Sequence, residues 1–137
     1  MRIAICHISI KIISRGKGKS AVAAAAYRAG EKITNEFDGM VHNYTKKVGI
    51  AHTEIMLPDH APREYFNRST LWNSVEKVEK SKNSQLAREF ELALPVELSA
   101  EQNLSLVREY VNRNFVAVGM CAECVFTIKT TAILTLM

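Results

Sequence analysis

One tyrosine lies beside a basic loop near the start of the chain. The stretch from Ser9 to Gly30 reads SIKIISRGKGKSAVAAAAYRAG, which is an alternating segment, a glycine-lysine loop and an alanine-rich helix that carries Tyr27. A phenolate can attack a phosphodiester and form a covalent ester, while nearby cations offset the charge of the phosphate. Tyr27 is therefore a candidate nucleophile, although a tyrosine in such a helix more commonly packs against a core.

Two carboxylates follow at strand spacing further along the chain. Glu89 and Glu91 are two residues apart in the segment REFELALP. On a strand both side chains point to one face, and the apolar residues that alternate with them point to the other. Such a pair can bind a metal or accept a proton from a tyrosine. It can equally be the solvent-facing side of a half-buried strand, and the residues alone favour this second interpretation.

The glycine-lysine loop permits two nucleotide-binding interpretations. A P-loop needs a glycine five positions before Gly18, and Ile13 stands there instead, so the P-loop is excluded. The spacing of Gly16, Gly18 and Ala21 fits the loose dinucleotide fingerprint, with acidic residues at a suitable distance. Residues 33–49, however, are polar and turn-rich where that fold needs a second buried strand, which disfavours dinucleotide binding.

Composition and charge point to a globular protein with a polyanionic partner. The 137 residues are 47% hydrophobic and 23% charged, which is typical of one soluble domain. No run approaches membrane-spanning length and the N-terminus lacks a signal-peptide layout, so we expect a cytoplasmic protein with no membrane partner. Residues 1–50 carry a net charge of +6 and residues 51–137 one of −2. The basic half favours a polyanion, with a solvated lysine face as the common alternative.

The three cysteines do not form a recognisable site. Cys121 and Cys124 make a lone Cys-x-x-Cys, and Cys6 stands far from them. Zinc would need a second pair or histidines at ligand spacing, and a thioredoxin-like motif would precede a helix. Cys121 leads instead into an apolar, strand-like run, so we expect reduced, half-buried thiols.

Periodicity predicts an α+β fold in which a mostly antiparallel sheet is covered by helices. The first predicted strand would bury its isoleucines at positions 8, 10 and 12. Predicted strands cover residues 2–13, 50–57 and 88–94, and a hairpin or exposed loop covers 34–49. Predicted helices run from an N-cap at Ser20 to about 31, over 63–80, in a short piece at 84–87 and over 100–115.

Several separated motifs resemble the N-terminal relaxase domain of the MobA/MobL plasmid mobilisation proteins, in the order in which that family has them. They are His7-x-Ser9, SRGKGKSAVAAAAYRAG, EIMLP at 54–58, LWN at 71–73 and ELALPVEL at 91–98, and the resemblance covers residues 1–125. It implies a relaxase-like fold and a tyrosine that nicks one strand at a transfer origin, remaining bound to the 5′ end. The matching position is Tyr27, and the family's acidic pair close to the active site matches Glu89 and Glu91.

The resemblance also implies the partners. These are single-stranded transfer-origin DNA, with accessory mobilisation proteins as further candidates. We expect five cations near the nucleophile to meet the DNA: Lys11, Arg15, Lys17, Lys19 and Arg28.

The metal site of that family has no counterpart in this sequence. In the family three histidines, in a His-Asp dipeptide and a Pro-His-Ala-His segment, hold Mg or Mn that polarises the scissile phosphate. Here the histidines stand at 7, 42, 52 and 60, and residues 126–137 read FTIKTTAILTLM. We therefore predict that this chain holds no metal and does not nick efficiently. The alternatives are a non-catalytic DNA-binding remnant and a non-functional product that folds poorly.

Codon arithmetic offers an explanation for the altered ending. Reading from the third base of the Phe126 codon, the codons of residues 126–137 permit His-Asp-Lys-Asp-Asp-Gly-Asn-Pro-His-Ala-His in the shifted frame. We therefore predict that residues 1–125 are the N-terminal part of a relaxase domain. Residues 126–137 would be an aberrant apolar tail, produced by a frameshift or truncation, and the DNA at this locus should spell the histidine motif.

Overall fold

The structure is a computed structural model that describes residues 7–79 and 84–137. The strands are β1 (His7–Ser14), β2 (Lys32–Thr34), β3 (Val41–Asn43), β4 (Ile50–Met56), β5 (Gln85–Ala93), β6 (Ala122–Thr127) and β7 (Thr131–Leu136). The helices are α1 (Ala21–Ala29), α2 (Arg68–Val78) and α3 (Ala100–Asn114). Short 3₁₀ turns cover Arg15–Lys17, Arg63–Phe66 and Val116–Val118.

A five-stranded antiparallel sheet in the order β1-β5-β7-β6-β4 forms the centre of the described chain, and β2 and β3 pair separately as a hairpin. Helices α1 and α2 pack on one side of the sheet, here called the α1 face, where Ile13 and Ala87 are buried. Helix α3 packs on the other side, here called the α3 face, against Leu92 and Leu134. This arrangement confirms the predicted α+β class.

Helix α1 is fixed at both of its ends. The Ser20 hydroxyl accepts a hydrogen bond from the Ala23 amide at 3.1 Å, which confirms Ser20 as the N-cap. Gly30 ends the helix at φ 68°, a left-handed conformation that strains any residue with a Cβ and so favours glycine. The alanines between these ends let the helix lie close to α2 and the sheet.

The second helix is shorter than the sequence predicts. The predicted helix over 63–80 is interrupted, because a 3₁₀ turn ends at Asn67, whose side chain then caps α2 by accepting from the Thr70 amide at 3.0 Å. Residue 80 lies outside the described residues. The helical piece predicted at 84–87 is wrong, since these residues belong to β5 and its loop and pair with β1, and tertiary pairing overrides local propensity.

The first strand buries the opposite side from the one predicted. Ile8, Ile10 and Ile12 are 46%, 60% and 42% exposed, whereas Ile13 is buried on the α1 face. The cause is tertiary packing, because the buried cluster on the α3 face draws its strand residues from β5, β6 and β7, whereas α1 and α2 cover Ile13 on the other face. Residues 2–6 of the predicted strand lie outside the described residues.

The final residues form a strand inside the sheet. Strand β7 pairs with β5 on one side and β6 on the other, and it is buried from Ala132 to Leu136. A strand covered on both faces needs no polar side, which accounts for the apolar pattern of this segment. The proposed shift of reading frame concerns the DNA and stays a prediction.

Candidate active site

Tyr27 lies in the last turn of α1 with its side chain 45% exposed. Its ring contacts Tyr44 edge to face, with ring centroids 5.2 Å apart. The Lys47 ammonium lies 3.8 Å from the centroid of the Tyr27 ring, and the central guanidinium carbon of Arg28 lies 5.3 Å from it. Two cations therefore flank a half-exposed phenol, which suits a reaction at a phosphodiester.

Lys47 is a site residue that sequence reasoning missed. Its ammonium also donates a hydrogen bond of 2.8 Å to the Tyr27 carbonyl oxygen. Burial lowers the pKa of Lys47 below its usual value, and the nearby positive charge of Arg28 lowers it further. The two residues are 20 positions apart, and no spacing in the sequence links them.

Glu89 and Glu91 lie on the same side of β5, as the alternation predicts, but their surroundings differ. Glu89 is buried, and both of its oxygens accept hydrogen bonds from Arg28, one of them at 3.1 Å from Nε. Glu91 is exposed. Burial would lower the pKa of Arg28, but the hydrogen bond to Glu89 and the charges of both carboxylates raise it above its usual value. Arg28 therefore keeps its charge and holds α1 to the sheet.

A cavity of about 460 Å³ lies between β1, α1 and the β2–β3 hairpin. Lys11 and Lys19 line it together with Arg28 and Glu89, and Lys11 stands opposite Glu89 in the register of β1 and β5. His42, on the hairpin, also lines this cavity. Three of the five cations expected to meet DNA are thus brought together.

The other two predicted cations lie elsewhere. Arg15 points to α2, where its guanidinium donates to the Glu76 carboxylate at 2.9 Å and to the Glu76 carbonyl oxygen at 2.8 Å. Its guanidinium carbon also lies 4.0 Å from the centroid of the Phe37 ring. Lys17 is exposed in the 3₁₀ turn before α1. The contacts of Arg15 therefore join the turn before α1 to α2, and its charge is paired with the Glu76 carboxylate.

The side chains around Tyr27 do not fit a divalent metal. Over residues 7–79 and 84–137, no three His, Cys, Asp or Glu side chains converge as metal ligands. Glu89 is occupied by Arg28, so its oxygens are not available to a cation.

Cys121 and Cys124 are buried free thiols on opposite faces of the sheet, and burial raises the pKa of Cys124 to about 12.

Comparison with known proteins decides the family. The sequence pattern described as the MobA/MobL family matches residues 19–132. The chain belongs to the MobA/MobL family. It is 43% identical over 136 residues to the conjugal transfer protein TraA of Rhizobium radiobacter, and 44% identical over 121 residues to the mobilization protein MobL of Acidithiobacillus ferridurans. These alignments cover 90% and 88% of this chain, but only 12% and 31% of the two relatives.

The fold of this MobA/MobL chain is also similar to a solved structure. A chain described under "Molecular Basis of Vancomycin Resistance Transfer in Staphylococcus aureus" matches with a TM-score of 0.89 and 30% identity. The match covers 98% of this chain and 70% of the other. The predicted relaxase-like fold is therefore confirmed, and the chain corresponds to the relaxase domain of mobilisation and conjugal transfer proteins.

In the part of the chain that the structure describes, no helix combines the length and the apolar character needed to cross a bilayer.

Proposed function

We propose that this chain binds single-stranded transfer-origin DNA on its α1 face and that Tyr27 is the nucleophile of the nicking reaction. The observation that carries the proposal is the position of Tyr27, which is half exposed between the cations of Lys47 and Arg28. Lys11 and Lys19 line the cavity beside α1, the helix that carries Tyr27. Their charges extend the positive surface that a phosphate backbone could contact.

The reaction is a transesterification. The Tyr27 oxygen attacks phosphorus and forms the ester with the 5′ phosphate, while the bond from phosphorus to the 3′ oxygen breaks and that oxygen takes a proton. The phenol proton must pass to a base. Glu91 is the more available acceptor, because both oxygens of Glu89 already accept hydrogen bonds from Arg28. Glu89 then acts by fixing Arg28 beside Tyr27.

A second candidate function is DNA binding without efficient cleavage. It is favoured by the side chains around Tyr27, which do not fit the divalent metal that Mg- or Mn-dependent members of the family would use. Loss of a preorganised positive charge at the reacting phosphate commonly costs about 3–4 kcal/mol of transition-state stabilisation. In either case we place the chain in the cytoplasm, with transfer-origin DNA and accessory mobilisation proteins as its partners.

The test uses a fluorescent single-stranded oligonucleotide that spans the cognate transfer origin. Binding is followed by anisotropy at several salt concentrations, and covalent adducts are followed on a denaturing gel with Mg or Mn present. Tyr27→Phe removes the nucleophile, and Tyr44→Phe is its matched control. A Tyr27-dependent adduct supports the nicking function, and steeply salt-dependent binding without an adduct supports the second candidate. Absence of salt-dependent binding would overturn both.

A further inference from the structure

We propose that the cavity between β1, α1 and the β2–β3 hairpin binds a second, non-scissile phosphate of the DNA strand, and that His42 is one of its ligands. This inference rests on the proposed function, because it assumes that a single strand lies on the α1 face. It adds a residue from a separate hairpin to the DNA contacts.

The first observation is an unsatisfied atom at the cavity. The Nε2 atom of His42 is buried and has no hydrogen-bond partner among the described residues. Buried side-chain nitrogens in folded proteins are nearly always paired, so the unpaired Nε2 of His42, a residue that lines the cavity, indicates a missing partner. A ring N–H can donate to a phosphate oxygen, which makes a phosphate a chemically suitable partner.

The second observation is the balance of charge around the cavity. Lys11 and Lys19 line it and form no ion pair within residues 7–79 and 84–137. Two carboxylates also line it, but Glu89 is paired with Arg28. The other, Asp38, accepts a hydrogen bond of 2.9 Å from the Met40 amide within the hairpin turn. The two lysines therefore outnumber the one carboxylate that lacks a cationic partner.

The third observation is the position of the cavity relative to Tyr27. Ser20, Ala23 and Ala24 line the cavity, and they recur at the spacing that places them on the same side of α1 as Tyr27. A helix rises about 1.5 Å per residue, so Ser20 and Tyr27 are separated by about 10 Å along the axis. Neighbouring phosphates of one strand are at least about 3.4 Å apart along B-DNA. The Ser20 end of the cavity therefore lies about one to three nucleotides from the scissile phosphate, and Arg28 lines the end beside Tyr27.

The size of the cavity agrees with this use. Its volume of about 460 Å³ falls within the range of about 300–1,000 Å³ that is common for ligand sites. One wall belongs to the rigid sheet through Lys11, and the opposite wall belongs to the hairpin through His42. A phosphate held between them would link the hairpin to β1, beside the helix that carries Tyr27.

The test is a walk along the origin oligonucleotide with one neutral methylphosphonate at a time, replacing each phosphate within three nucleotides of the nick. Affinities are measured for the wild-type chain, His42→Gln and Lys19→Met. The control variants are His60→Gln and Lys129→Met, which replace the same residue types at exposed positions outside the cavity. Thermal melts establish that each variant is folded. Lys19→Met provides an independent arm, because Lys19 is exposed in the loop before α1.

We expect one phosphate whose neutralisation weakens binding to the wild type and both controls by about tenfold, the size of one charge-assisted contact. The same modification should weaken binding to His42→Gln and Lys19→Met by less than about threefold, because the contact is already lost. Equal weakening in all variants would overturn the second phosphate site. Absence of any salt-dependent binding by the wild type would instead overturn the proposed function on which it rests.

Discussion

The two faces of the sheet use the same strands for opposite purposes. On the α1 face, buried carboxylates pair with arginines that come from α1 and α2, as in Glu89 with Arg28 and Glu123 with Arg68. On the α3 face, the same strands contribute apolar side chains such as Leu92, which pack with α3. Strand alternation produces this contrast, since successive residues of one strand point to opposite sides.

The contrast indicates that the α1 face fixes the position of its helices, whereas the α3 face mainly stabilises the fold. Burial of charge is costly unless each ion has a well-placed partner, so ion pairs fix the helices of the α1 face in one arrangement. The apolar contacts of the α3 face bury hydrophobic surface without such demands on geometry. Tyr27 lies on the face with the ion pairs, where precise placement of α1 matters most.

The largest effect should come from removing a buried carboxylate of the α1 face. In Glu123→Ala, the Trp72 indole N–H, which donates to Glu123 at 2.8 Å, and the Arg68 guanidinium lose their buried acceptor. We expect the free energy of unfolding to fall by about 4 kcal/mol in denaturant titrations. Glu123→Gln keeps a hydrogen-bond acceptor and removes only the charge. Because burial already raises the pKa of Glu123, the free energy of unfolding should fall much less in this variant. Equal decreases in the free energy of unfolding of Glu123→Ala and Glu123→Gln would contradict a stabilising role for the hydrogen bonds to Glu123.

Truncating a core side chain of the α3 face should lower the free energy of unfolding somewhat less, and it should leave DNA binding on the α1 face unchanged. Leu134 is fully buried in β7, so Leu134→Ala should lower the free energy of unfolding by about 3 kcal/mol through lost burial and a cavity. Ile10→Ala, on the exposed side of β1, is the matched control and should cost less than about 0.5 kcal/mol. Oligonucleotide affinity at a temperature where both variants are folded should equal that of the wild type. If only Leu134→Ala lost affinity for the oligonucleotide, the proposal that the α3 face does not contribute to DNA binding would be wrong.

A charge beside Tyr27 should change binding more than it changes folding. Lys47→Met removes the ammonium next to the Tyr27 ring, and we expect oligonucleotide affinity to fall by about three- to tenfold. The slope of log affinity against log salt should become shallower by about 0.7, the value for one phosphate contact on a single strand. Lys46→Met removes the neighbouring, exposed lysine and should have a smaller effect. The same slope for both variants would argue against a specific role of Lys47.

The smallest effect concerns an ion pair at the exposed rim of the α3 face. Arg108 donates to both oxygens of Glu54, at 2.9 and 3.0 Å from its Nε, and this lowers the pKa of Glu54. A lowered folded-state pKa adds stability above the unfolded-state value of about 4.3 and loses it as pH falls through the folded-state value. The stability difference between the wild type and Arg108→Met should therefore shrink as pH is lowered from 6 to about 3. If the stability difference between the wild type and Arg108→Met stayed constant over this pH range, the ion pair between Arg108 and Glu54 would not be the cause of that difference.

Local patterns in the sequence were sufficient for α1, for α3 and for the alternation of β5, but not for the strand at 85–87 or for the break before α2. The N-cap at Ser20 and the shared face of Glu89 and Glu91 both depend on neighbours within a few residues. The packing of β1 depends on how distant elements assemble, so the exposure of Ile10 could not be predicted from its own segment. For the same reason the contribution of Lys47 to the site appears only when the chain after the hairpin folds against α1.

The most direct test of the central claim, that Tyr27 is placed to attack the bound strand, avoids the need for a metal. An origin oligonucleotide with sulfur in place of the 3′ bridging oxygen at the nick has a better leaving group, so attack by a correctly placed phenol needs less help from a cation. We predict a covalent adduct with the wild type and Tyr44→Phe, and none with Tyr27→Phe. Absence of an adduct with the wild type, although the oligonucleotide binds, would contradict the placement of Tyr27.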